Sequence, residues 1–232
     1  MEVGFRVSIA LTVISVSIAF ISQHQKGYGI SSALLAVAPY KKRRSQNAPG
    51  NLYVDESCID CDVCRWMCPS TFSRKGIKAA VHAQPDTEED KVQAYTAMIA
   101  CPVGAIRTFS PDPLVKAAAL MFPAEIDPVR MPGVMHLGYH ASSSFGATPY
   151  LIERSAKMGG SVMIDAPRYS AQLADTIEEE CGGISMLILT HKDDVADHQK
   201  WKDRFPDMER IIHRTDVTKD TAQCEVKEHS IV

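Results

Sequence analysis

Four thiols fall in the eleven residues from Cys58 to Cys68, at Cys58, Cys61, Cys64 and Cys68, with Pro69 directly after the last. A hydrophobic core gains nothing from cysteine at that density. A soft metal centre does, because thiolates hold zinc and iron–sulfur clusters. A fifth cysteine, Cys101, is again followed by a proline. Of the 7 cysteines only Cys181 and Cys224 stand apart from this pattern, which argues against a disulfide framework.

The two-residue gaps let a tight loop wrap one cubane and point backbone N–H groups at its sulfurs. The segment between Cys68 and Cys101 supplies the rest of a small domain. Asn51–Val54 reads as a strand leading to Cys58, and Phe72 and Val81 as core residues around a turn at Lys75-Gly76. A helix starting near Gln84–Glu89, with acids in its first turn and Val92, Tyr95 and Ile99 on one face, delivers Cys101 at its end. Val103–Ile106 returns as a strand. Trp66 and Met67 read as packing around the loop.

The run Cys58-x2-Cys61-x2-Cys64-x3-Cys68-Pro69 with the remote Cys101-Pro102 resembles the single-cluster [4Fe-4S] ferredoxin domain over residues 51–110. In two-cluster ferredoxins the fourth cysteine of such a run serves the other cluster. The resemblance therefore assigns Cys58, Cys61, Cys64 and Cys101 as ligands of one [4Fe-4S] cluster and leaves Cys68 over. Structural zinc is the competing reading, but its usual pattern is separated Cys/His pairs. The implied function is iron–sulfur cluster binding with electron transfer to a redox partner protein.

Charge divides the chain. Arg6, Lys26, Lys41, Lys42, Arg43 and Arg44 face only Glu2 in residues 1–54, while the whole chain is −3, so the remainder is acidic. An acidic body argues against nucleic acid as partner. The acid-free stretch Val3–Val54, with an apolar run at Val7–Ile21 and the cluster Lys41–Arg44, reads as a signal and transit leader over residues 1–50. It implies a plastid (chloroplast) address, with the mitochondrion as the alternative. The apolar run is short for a membrane span, and none is expected in the mature chain.

Ser110-Pro111-Asp112-Pro113 closes the first domain, and residues 111–132, with Pro123, Pro128 and Pro132, read as a linker containing one short helix at Leu114–Phe122. From residue 133 strands are expected at Val134–Leu137, Pro149–Glu153, Ser161–Asp165, Ile184–Leu189 and Arg210–His213, with helices over 168–180 and up to about Phe205. A strand ending in Thr190-His191, followed by Asp193, Asp194, Asp197 and His198, resembles the metallo-β-lactamase fold over residues 131–215. So does the Asp165-bearing segment Val162–Pro167. The fold class implied is α+β: a ferredoxin-like domain followed, at 133–232, by a partial αββα metallo-β-lactamase-like domain. That resemblance implies a zinc or iron site on His191, Asp193, Asp197 and His198 and, as an alternative function, a metal-dependent hydrolase. Asp194, Asp197 and His198 are expected to share one helix face. The second half of such a domain has no counterpart after His213, so the chain is expected to be shortened relative to that family and catalytic residues stay unassigned.

Overall fold

The computed structural model describes residues 42–228. The leader reading at residues 1–41 and the tail at His229 lie outside the described residues. Among the described residues no helix is long and apolar enough to cross a membrane.

The chain first builds a small α+β unit. Strand β1 (Leu52–Val54) is buried along its whole length and pairs antiparallel with β4 (Ile106–Thr108), Val54 facing Ile106. Helix α1 (Val63–Met67) follows the cysteine loop. Strands β2 (Phe72–Lys75) and β3 (Lys78–Val81) form a hairpin whose turn uses the left-handed Gly76. Helix α2 (Glu88–Ala100) starts where the sequence marks it. Thr87 Oγ1 accepts the Asp90 N–H at 3.1 Å, and Glu88, Glu89 and Asp90 sit at the positive end of the helix dipole. Phe72, Val81, Ala94, Tyr95 and the fully buried Cys68 fill the core between helix and strands.

A buried asparagine ties this unit together. Asn47 Nδ2 donates to the carbonyls of Arg44 and Val54 at 2.7 and 2.8 Å, and its Oδ1 accepts from Val54 and Val81 N–H at 2.9 Å each. It joins the incoming chain, β1 and β3, so it positions the strand that leads into Cys58.

The second region is one seven-stranded sheet in the order β11-β10-β9-β8-β7-β6-β5. Its strands are β5 (Ala124–Glu125), β6 (Val134–His136), β7 (Tyr150–Ile152), β8 (Val162–Ile164), β9 (Met186–Leu189), β10 (Glu209–His213) and β11 (Val226–Glu228). From β5 to β8 the pairing is antiparallel, and from β8 to β11 it is parallel. Helix α4 (Ala171–Cys181) links β8 to β9, capped by Ser170 Oγ at one end and by the left-handed Gly182 at the other. Helix α5 (His198–Arg204) links β9 to β10 and buries Trp201.

Four segments depart from expectation. Residues 42–50, expected at the end of the leader, pack into the first unit, with Arg44 and Asn47 buried. In the stretch expected to be a linker, α3 (Leu114–Ala119) packs on α2, Phe122 is buried in the second core, and β5 extends the sheet. The tail, polar in sequence, contributes β11, because Arg210, only 3% exposed, draws it in. The Arg210 backbone N–H and guanidinium both donate to Glu225. Helix α5 begins only at His198, so Asp194 precedes it and the expected shared face does not form.

The two regions also share a core. Val63 of α1 and Ala100 of α2 are buried together with Phe122, Leu137 and Leu151 of the second region, and Arg168 donates to the Ile99 carbonyl at 3.0 Å.

Two outcomes follow from this packing. Asn47→Ala is expected to lower unfolding stability by about 2 kcal/mol or more in a denaturant titration, because it takes the acceptor from the buried Val54 and Val81 N–H groups at once. Burial pushes the Glu225 carboxyl up, but Arg210 and Lys202 outweigh it and hold it at about 2. A folded value below the ordinary 4.5 means that its contribution is present above that pH and is lost as the pH falls towards about 2. In Glu225→Gln, denaturation measured from neutral pH into this acid range is expected to show lower stability at neutrality and a shallower acid loss.

Candidate metal centre

The loop after β1 takes two left-handed residues, Asp60 (φ 60°) and Asp62 (φ 73°), between its cysteines. Such turns point successive N–H groups to one side, as anionic sulfur requires. Arg65 holds the conformation from outside. Its guanidinium meets Asp60 Oδ1 at 2.6 Å and Asp62 Oδ1 at 2.5 Å, and Arg74 reaches Asp60 Oδ2 at 2.6 Å. The carboxylates are thereby neutralised and turned to arginine. Asp60 N–H lies 3.5 Å from Cys58 Sγ.

Cys101 caps the C-terminus of α2, which brings it to the same place. Its Sγ accepts the Ala105 N–H at 3.3 Å, across a turn through the left-handed Gly104. Cys58, Cys61, Cys64 and Cys101 line one open cavity. Val54, Val63, Ala79, Val103 and Ile106 complete its apolar wall. Cys58, Cys64 and Cys101 are buried and Cys61 is half-buried.

Cys61 and Cys64 resist ionisation here. Burial pushes the Cys61 thiol up, the Val63 N–H works against that, and Cys101 and Cys58 add to it. Cys64 is pushed far up, first by burial and then by the other three thiols. Four thiolates in a dry cavity need a compensating positive charge, which a bound iron core supplies. One zinc ion would need its sulfurs about 2.3 Å from a common point. Among the described residues no three His, Cys, Asp or Glu side chains converge in that way. Thiols spread around a cavity, with N–H groups aimed at sulfur, fit a polynuclear cluster.

Cys68 stands outside this set. It is fully buried in the core, with Sγ 3.5 Å from Ser70 Oγ, and it does not line the cavity. Trp66 is half exposed, with its ring 5.2 Å from that of His136 in the second region. Gly146 lies against Cys61 and Pro102. Spacing within residues 51–110 carries no sign of these neighbours, because they come from beyond the domain.

The second expected set does not gather. His191 and Asp193 are half exposed at the end of β9, 3.5 Å apart. Asp197 accepts from Tyr169 N–H at 2.8 Å and pairs with Lys200 at 2.9 Å. His198 is buried and turned away. Its Nε2–H donates to the Asp220 carbonyl at 3.1 Å, and its Nδ1 accepts from Arg210 at 3.2 Å. Burial first, and Arg210 second, keep it neutral by lowering its pKa. Asp165, after β8, is occupied by the Thr190 N–H and hydroxyl at 2.8 to 3.0 Å. Each side chain thus serves the local structure.

Residues 54–108, less than a quarter of the chain, match the family described as the 4Fe-4S single cluster domain of ferredoxin I. No curated protein and no solved structure matches the chain. The metallo-β-lactamase resemblance over residues 131–215 therefore has no counterpart among known proteins here, and a zinc or iron site in that region is not shown. The segment that carries the clustered thiols is a single-cluster ferredoxin domain, and the protein binds an iron–sulfur cluster through it.

Proposed function

We propose that this protein is an electron carrier that holds one [4Fe-4S] cluster on Cys58, Cys61, Cys64 and Cys101 and exchanges single electrons with a redox partner protein. The observation that carries the reading is the meeting of these four thiols around one apolar cavity, although Cys101 is far from the others in sequence. A cluster bound there supplies one-electron chemistry, its potential tuned by hydrogen bonds to sulfur and by solvent exposure. The chain contributes the Asp60, Val63 and Ala105 N–H groups toward sulfur. Its apolar walls keep water from the thiolates, and the Arg65 and Arg74 pairs make the mouth nearly charge-neutral.

Cys68, packed in the core, has no ligand role in this proposal. The acid-free leader supports delivery to a plastid, which fusion of residues 1–50 to a fluorescent protein would test. Hydrolysis is not proposed, because His191 and Asp193 pair only with each other while Asp197 and His198 are each engaged elsewhere.

Anaerobic reconstitution of the full chain is expected to load about four iron atoms and to give a cubane-type EPR signal on reduction. Cys101→Ala is expected to lose both, whereas Cys68→Ala keeps both. Tight zinc binding without iron, or a Cys101→Ala protein with an undisturbed signal, would refute the assignment.

A further inference from the structure

We propose that residues 140–147 of the second region form a wall behind Cys61 and Pro102, outside the residues that line the cavity, held in place by a two-histidine relay, and thereby set the potential and the air stability of the cluster. The inference rests on the cluster assignment above and extends it to residues outside the ferredoxin domain.

The contact is made by backbone. A Cβ at Gly146 would lie 3.4 Å from Cys61 Cβ and 3.4 Å from Pro102 Cγ, and Gly146 has φ +85°. That spacing is ordinary van der Waals contact, and it is the left-handed backbone that favours glycine here. The loop thus lies over Cys61, the most exposed of the four thiol residues, and over the proline that follows Cys101.

The loop is tightly tied. Gly146 N–H donates to the Ala141 carbonyl at 3.1 Å and Ala147 N–H to that of Ser144 at 2.8 Å. The buried Ser144 Oγ accepts the Ala196 N–H at 3.1 Å, which anchors the loop to the segment before α5.

The remaining tie is the relay. The Gly146 carbonyl lies 3.0 Å from His140 Nδ1. A carbonyl only accepts, so Nδ1 carries the proton and His140 Nε2 presents a lone pair. His136 Nε2 lies 2.7 Å from that lone pair and donates to it. Both rings are buried, and burial pushes both below the ordinary histidine range, His136 to about 3 with His140 adding to the effect. Two neutral imidazoles therefore make a fixed, directional chain from β6 to the loop. Phe122 meets His136 edge-on at 5.6 Å, and Trp66, two residues after Cys64, packs on the same ring at 5.2 Å.

The consequence is electrostatic. Reduction adds a negative charge to a site that is already anionic, and water stabilises the reduced state more than the oxidised one. A wall that excludes water lowers the potential and slows attack by oxygen. A loosened wall raises the potential and speeds decay.

The test uses the full chain, reconstituted anaerobically, with redox titration and the rate of cluster absorbance loss in air. His140→Leu removes the donor and keeps most of the volume. His140→Asn keeps an N–H at the same bond distance from Cβ. Gly146→Ala strains the left-handed backbone where the loop meets Cys61 and Pro102, without entering the core. His140→Leu and Gly146→Ala are expected to shift the potential upward and to decay several-fold faster, with His140→Asn nearer to wild type. If His140 acted through packing alone, the asparagine variant would be the worse of the two. That order overturns the relay, and wild-type values in Gly146→Ala, which decides the matter if His140→Leu fails to fold, overturn the wall. A wild-type chain that binds no cluster takes down both this inference and the assignment beneath it, whereas a loaded wild type with unchanged variants takes down this inference alone.

Discussion

The site exists because four thiols must meet in a cavity that also excludes water, and almost every feature of the first sixty described residues serves that meeting. Three cysteines arrive on one loop at no topological cost. The fourth has to cross the domain. It does so on α2, whose capped start and buried face hold its end against the loop, while β4 pairs with β1 and closes the cavity behind it. Asn47 secures β1 to β3 through the Val54 carbonyl and the Val54 and Val81 N–H groups. The thiol loop carries two left-handed aspartates. Arg65 and Arg74 compensate their charge and free the N–H groups for sulfur.

The second region is not a passenger. It buries Val63 and Ala100, the residues next to Cys64 and Cys101, within its own core, and Arg168 binds the carbonyl two residues ahead of Cys101. The sheet also explains the fate of the polar residues at the ends of its parallel strands. Asp165, Asp197 and His198 each satisfy a buried backbone group or a neighbouring side chain, an expected use of such groups where burial leaves no water to do so.

Much of this was legible in the sequence where the signal is local. The cysteine spacing, the acids that open α2 and the turn at Gly76 each carry their structural reason within a few residues. The illegible parts share a different property. β11 has no apolar pattern and forms because a buried arginine captures Glu225. The supposed linker packs because α2 and the second sheet offer it apolar surface. The cluster of His191, Asp193, Asp197 and His198 looked like a ligand set because spacing reports proximity along the chain, not the direction in which a side chain points.

The sequence by itself determined the chemistry: which thiols are available, that iron–sulfur suits their spacing, and that Cys68 is the one the resemblance leaves over. The tertiary structure decided which histidines face each other and which loop packs against Cys61. The physical reason is that ligand identity is a property of residue type and short-range spacing. Enclosure depends on backbone segments remote in sequence, and Gly146 meets Cys61 only once both regions have packed.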